Sequence, residues 1–121
     1  MPSPTSPFDP IGPLQLRVMN HLWKVNAGTV QEVMNAVNGQ PDCRPLAYTT
    51  FLTVMRNLAK RRLLDQRKTA TKRHQFVVLV DEESYKAGVV RQIYKDYCNN
   101  DADTLIRYLA LQAKMAGNTA A

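Results

Sequence analysis

RPLAYTTFLTVMRNLAKRRLLDQRKTATKRHQFVVLV, residues 44–80, decides how the rest of this 121-residue chain is read. Ala47, Phe51, Val54, Met55 and Leu58 recur at spacings of three and four, the inward stripe of a helix running from about Leu46 or Ala47 to Lys60. Its opposite face carries Tyr48, Thr49, Leu52, Thr53, Arg56 and Lys60. Leu63 follows as the helix ends. Two short strands are expected next, at 64–69 and 74–80, joined by the cationic turn Ala70-Thr71-Lys72-Arg73. Between Arg44 and Arg73 nine Lys or Arg stand against one acid, Asp65, a local +8 in a chain of net charge +6. The remainder is therefore slightly acidic, and the charge is a patch.

Upstream, Gly12-Pro13 opens a helix whose Leu14, Val18, Leu22 and Val25 face inward beside Met19 and Trp23, with Gly28 as a natural stop. Thr29-Val30-Gln31-Glu32 has the pattern of a capping box. A short second helix follows, with Val30, Val33, Met34 and Val37 inward, and QPDCRP is a loop. Three helices and a two-stranded wing make a mainly α winged helix-turn-helix over residues 11–80. Residues 1–10 read as a disordered lead-in.

Beyond Asp81 the acid-rich start Asp81-Glu82-Glu83-Ser84 favours a helix to about Cys98. A last helix is expected from Ala102 to Met115, with residues 116–121 frayed. Tyr85, Val89, Ile93, Tyr94 and Tyr97 line the first of these helices, and Leu105, Ile106, Tyr108, Leu109 and Leu111 the second. Two amphipathic helices outside a closed unit need a further surface, and a second copy of the chain is the simplest. Residues 81–115 are thus expected to be a dimerisation region. Aromatic rings at such spacing among Val, Ile and Leu are more often interface core than a platform for stacking bases.

Tyr48, Thr49, Thr50 and Thr53 fall in the first two turns of the third helix, the end that enters a major groove in helix-turn-helix docking. Hydroxyls can bond phosphates or base edges, and threonine methyls can touch thymine. Arg56 lies one turn on, in reach of a guanine edge or a phosphate. Arg44, Lys60, Arg61, Arg62, Arg67, Lys68, Lys72, Arg73 and His74 suit backbone phosphates, which set affinity and salt dependence.

Catalysis has little support. His21 and His74 have no second ligand at metal spacing, no Gly-rich phosphate loop occurs, and Glu82-Glu83 is explained by its place at a helix start. Neither a metal nor a cofactor is expected. Cys43 and Cys98 form no CxxC and read as reduced thiols. The apolar runs are too short to span a bilayer and the N-terminus lacks a signal-peptide pattern, so the expected address is the cytoplasm.

LAYTTFLTVMRNLAKRRLL resembles the third-helix signature of the penicillinase-repressor (BlaI/MecI/CopY) family of bacterial regulators. IGPLQLRVMNHLW is similar to that family's first helix, and the spacing through TVQEV to the wing agrees, over about residues 11–109. The resemblance implies a homodimeric repressor of palindromic, TACA/TGTA-like operators, with Thr49, Thr50, Thr53 and Arg56 in the reading helix and Lys72 and Arg73 in the wing. It also implies an inactivating protease as a partner. Penicillinase repressors are cut at an Asn-Phe bond in the C-terminal helices, and Arg107-Tyr108 stands there in this chain. The copper-responsive branch carries a C-terminal cysteine cluster, where this chain has Cys98 alone. The family's penicillinase repressors continue past the fifth helix into another, which implies a trimmed or rearranged dimer interface here. The alternative to a repressor is a winged-helix module whose basic face meets an acidic protein.

Overall fold

The computed structural model describes residues 8, 10–42, 44–70 and 73–119, with side chains described as far as residue 116. Helix α1, Pro13–Val25, begins with proline at its first position, where the missing N–H has no partner to lose. It ends at Asn26, left-handed at φ 70°, whose N–H donates to the Leu22 carbonyl. Asparagine is one of the few residues that accept that conformation readily. The helix thus ends where expected, at Asn26-Ala27-Gly28, with Asn26 and not Gly28 as its cap. Gly28 is instead a buried residue of strand β1, Ala27–Thr29.

Thr29 both ends β1 and caps α2, Val30–Asn38. The Glu32 N–H donates to Thr29 Oγ1 at 3.2 Å, and the Thr29 N–H donates to Glu32 Oε1 at 2.8 Å. The following loop is braced at two places. Arg17 pairs with Asp42 at 2.9 Å, and the Asn38 amide both donates to and accepts from the backbone of Leu46.

Helix α3 spans Tyr48–Lys60. Ala47 is its extended, exposed N-cap and not part of the inward stripe, because it precedes the first helical residue. Strands β2, Leu64–Lys68, and β3, His74–Val78, form an antiparallel hairpin, each strand ending a residue or two earlier than expected. Thr69 closes it, its N–H and hydroxyl both donating to the Arg73 carbonyl, at 2.9 and 2.8 Å.

The wing is not a two-stranded ribbon. β1 pairs antiparallel with β3, Gly28 opposite Phe76, giving a three-stranded sheet in the order β1-β3-β2. β3 is therefore the central strand, with its ladder satisfied on both sides, and the helix-turn-helix is tied to the wing through backbone hydrogen bonds.

Apolar side chains from every part of this unit meet in one core: Val18, Met19 and Leu22 of α1, Val30, Val33 and Val37 of α2, Phe51, Met55 and Leu58 of α3, and Leu63, Leu64 and Phe76 around the sheet. Replacing Phe51 or Phe76 by alanine is expected to cost about 3–5 kcal/mol at such sites. Met34 and Val54 are half-buried at the margin. Val25 is exposed, contrary to the expected stripe, and Leu22 and the half-buried Trp23 make the contacts at that end of α1.

Helix α4, Glu82–Tyr97, is capped by Asp81, whose carboxylate accepts the Ser84 N–H at 2.8 Å. Its first turns belong to the core: Tyr85 is 3% exposed and Val89 packs against the same cluster. Phe8, within the expected disordered lead-in, also packs there, and its ring fills the space a side chain at Gly88 would need; residues 1–7 and 9 of that lead-in lie outside the described residues. Consecutive left-handed asparagines, Asn99 and Asn100, turn the chain into α5, Ala102–Thr119. That helix continues past the expected end at Met115 and through part of the supposed frayed tail. Among the described residues, no helix is long and apolar enough to cross a membrane.

Candidate nucleic-acid interface

Thr49, Thr53, Arg56 and Lys60 are all exposed and follow one another at spacings of four, three and four, so they form a single outward stripe along α3. Thr50, given equal weight by its position in the sequence, lies off that stripe and is half-buried on the Val54 side. Tyr48 and Leu52 flank the stripe toward the sheet.

Between this flank and the wing runs a groove of about 380 Å³. Val30 and Leu52 give it an apolar floor, and Thr29, Gln31, Tyr48, Arg56, Arg73 and His74 supply its polar walls. Four residues singled out in the sequence thus come together from α3 and the start of β3. Two more, Thr29 and Gln31, were not expected. Thr29 was read only as a helix cap, and Gln31 is an uncharged residue on a helix that carries no basic patch. The missed signal was β1, which brings the start of α2 against β3.

Among the described residues, no carboxylate lines the groove. Glu32 is one residue removed from Gln31, and its carboxyl is held below the usual glutamate range. The Thr29 backbone N–H and then the Thr29 hydroxyl are the main causes, with smaller help from the charges of His21 and Arg73. The capping box therefore keeps that carboxylate occupied as a helix cap. What remains in the groove is a set of donors: two guanidiniums, a phenol, an imidazole and the Gln31 amide, whose nitrogen also donates to Asn35 Oδ1 at 3.0 Å.

The other expected contacts are spread around this centre. The β2–β3 register sets Lys68 opposite His74 and Arg67 opposite Gln75, so Lys68 and His74 share one face of the sheet and Arg67 takes the other. Arg67 Nε donates to Asp65 Oδ2 at 2.9 Å, an exposed pair that uses part of its guanidinium. Arg44 precedes α3 and lines a separate depression with Arg17, Asp42 and Leu46. Lys72, like Cys43, lies outside the described residues.

Of the residues expected to dimerise, Tyr85 is spent in the core, where its ring meets Trp23, and Val89 is partly spent there as well. Buried within one chain, Tyr85 has little surface left for another, which corrects that expectation. Ile93, Tyr94 and Leu105 are half-buried, and the Tyr94 hydroxyl donates to the Asn100 carbonyl at 2.7 Å. Tyr97, Ile106, Tyr108 and Leu109 are exposed, together with Leu111 and Met115. Arg107 and Tyr108 sit inside α5, the guanidinium 5.4 Å from the ring centroid. Cys98 is a buried free thiol, and among the described residues no cluster of three or more His, Cys, Asp or Glu could hold a metal ion.

A profile of the penicillinase repressor family matches residues 11–120, from the first helix through the last. The chain belongs to that family. Penicillinase repressor family members are transcriptional regulators, not enzymes. Over 81 residues the chain is 33% identical to the transcriptional regulator BlaI of Mycobacterium tuberculosis, in each of two strains. The match spans 66% of this chain and 56% of that relative, a little over half its length. The YusO protein from Bacillus subtilis has a similar fold, with a TM-score of 0.50 across 88% of this chain and 75% of its own, at 18% sequence identity. That likeness concerns the fold alone.

Proposed function

We propose that this penicillinase repressor family protein is a sequence-specific DNA-binding repressor that acts as a homodimer on a palindromic operator. One observation carries the reading. The exposed Thr49–Thr53–Arg56 stripe of α3 borders a groove walled by Tyr48, Arg73 and His74, with no carboxylate among the described residues that line it, so a base-reading surface and a phosphate-binding surface adjoin.

In this reading α3 enters the major groove, with Thr49, Thr53 and Arg56 at base edges and Tyr48 and Gln31 on the flanking backbone. Arg73, His74 and Lys68 hold the neighbouring phosphates, with Lys60 and Arg67 at the margins. Repression needs no chemistry from the protein, only occupancy that excludes polymerase. The exposed Ile106, Tyr108 and Leu109 of α5 supply the apolar surface for a second copy. A two-fold dimer then reads two half-sites in opposite directions, which is why the operator should be palindromic.

Selection of bound duplexes from a random pool, followed by titration at several salt concentrations, tests the reading. A palindrome preferred by about 10³-fold or more, with affinity falling steeply as salt rises, is the expected result. Equal binding to every duplex, or to none, overturns it and favours an acidic protein partner.

A further inference from the structure

The helix α3 passes into β2 through Arg61 and Arg62, and Arg62 is left-handed at φ 66°. Among the described residues four non-glycine positions have positive φ, and the other three are asparagines. Asparagine tolerates that region because its short polar side chain can bond locally, whereas an arginine has no such compensation. Glycine would adopt the same backbone without strain.

Arg62 is exposed and lines a groove of about 350 Å³ with Arg56, Lys60, Asp65 and Gln66. Asp65, the groove's carboxylate, is engaged by Arg67. Arg56, Lys60 and Arg62 form none of the ion pairs among the described residues. A strained backbone and an outward cation with no ion pair among the described residues, beside a carboxylate already taken by Arg67, point away from a folding role.

We propose that this corner is a second anchoring point, where Arg62, with Lys60 and Gln66, binds a phosphodiester of the DNA backbone. It rests on the DNA-binding reading above and adds to it a contact separate from the Tyr48–His74 groove, at the opposite end of α3. A guanidinium fork matches two phosphate oxygens, and the Lys60 ammonium and Gln66 amide add single donors. Phosphates carry no base identity, so the contact fixes the C-terminal end of α3 on the duplex and leaves sequence preference unchanged.

The test is Arg62→Gly in the full chain, measured by thermal melting and by titration of the selected operator duplex across a salt series. Glycine relieves the strain, so the melting temperature is expected to hold or to rise by a few degrees. Affinity is expected to fall several-fold, and the slope of log affinity against log salt to lose about one unit. Arg62→Lys, which keeps the charge and not the fork, should bind with intermediate affinity and a nearly unchanged slope.

A glycine variant that melts normally and binds with unaltered affinity and slope overturns the proposal. So does one that melts well below the parent, since the arginine would then be structural. If the parent chain binds no duplex at all, the DNA-binding reading fails and this inference falls with it.

Discussion

Tyr85, in the first turn of α4, packs its ring against Trp23 of α1, with centroids 5.6 Å apart and planes tilted by 37°. Trp23 also donates from Nε1 to the Val80 carbonyl at 2.9 Å, and Lys86 Nζ lies 5.5 Å from the indole centroid. The passage from the sheet to the C-terminal helices is thus part of the core and not a loose linker. Tyr85→Ala should lower stability by about 3 kcal/mol, as loss of a fully packed aromatic does. Urea unfolding measures this, and a loss below about 1 kcal/mol would mean that α4 is not docked as described.

The Thr29–Glu32 capping box gives a prediction with a pH signature. Thr29→Ala should cost about 1 kcal/mol, the usual worth of an N-cap. For Glu32 the folded-state pKa is lowered, so its contribution is present above the ordinary glutamate range. It is lost as pH falls through the folded value. The group is largely exposed, so the effect should stay well under about 1 kcal/mol. Glu32→Gln should therefore lower stability slightly at neutral pH and flatten the acid limb of a stability profile. An acid limb as steep as the parent's would remove Glu32 from the account.

Arg56 adjoins both grooves of α3, which makes it the most informative single substitution in the proposed interface. Arg56→Ala should weaken operator binding by about 1–3 kcal/mol and relax preference at one position of each half-site. Anisotropy titrations against single-base operator variants separate this from an equal loss on all sequences, which would reassign Arg56 to phosphate. Arg67→Ala should cost less, because Asp65 already occupies part of that guanidinium.

On α5, Ile106 is 60% exposed and Leu109 59%, one turn apart. Ile106→Glu with Leu109→Glu should convert a dimer to monomers with little change in helix content, and should reduce operator affinity by at least about tenfold through lost avidity. Sedimentation at dimer mass after both changes would take α5 out of the interface.

The order of elements was legible because Phe51, Met55 and Leu58, or Val30, Val33 and Val37, repeat at a helical period that burial then confirms. β1 was not, since Ala27-Gly28-Thr29 is too short to show a two-residue alternation and pairs with a strand far along the chain. Tyr85 looked like interface because helical spacing says that a ring faces inward but not which surface it meets. The candidate site divides in the same way. Hydroxyls and cations on α3 announce themselves by type, whereas Gln31 enters only through the fold. Nothing in the letters of an arginine reveals a positive φ at Arg62.

Thr29 is at once the last residue of β1 and the cap of α2, so the strand ladder and the start of that helix share a single residue. Among the described residues no linker separates that strand, paired to the wing, from the helix it caps. On the proposed reading, such a tool would have one gauge, the distance from α3 to the wing being set as the chain folds and before any duplex arrives. Variation among operators would then have to be met where two protomers pivot on each other, making the gap between half-sites negotiable and the width of each half-site not.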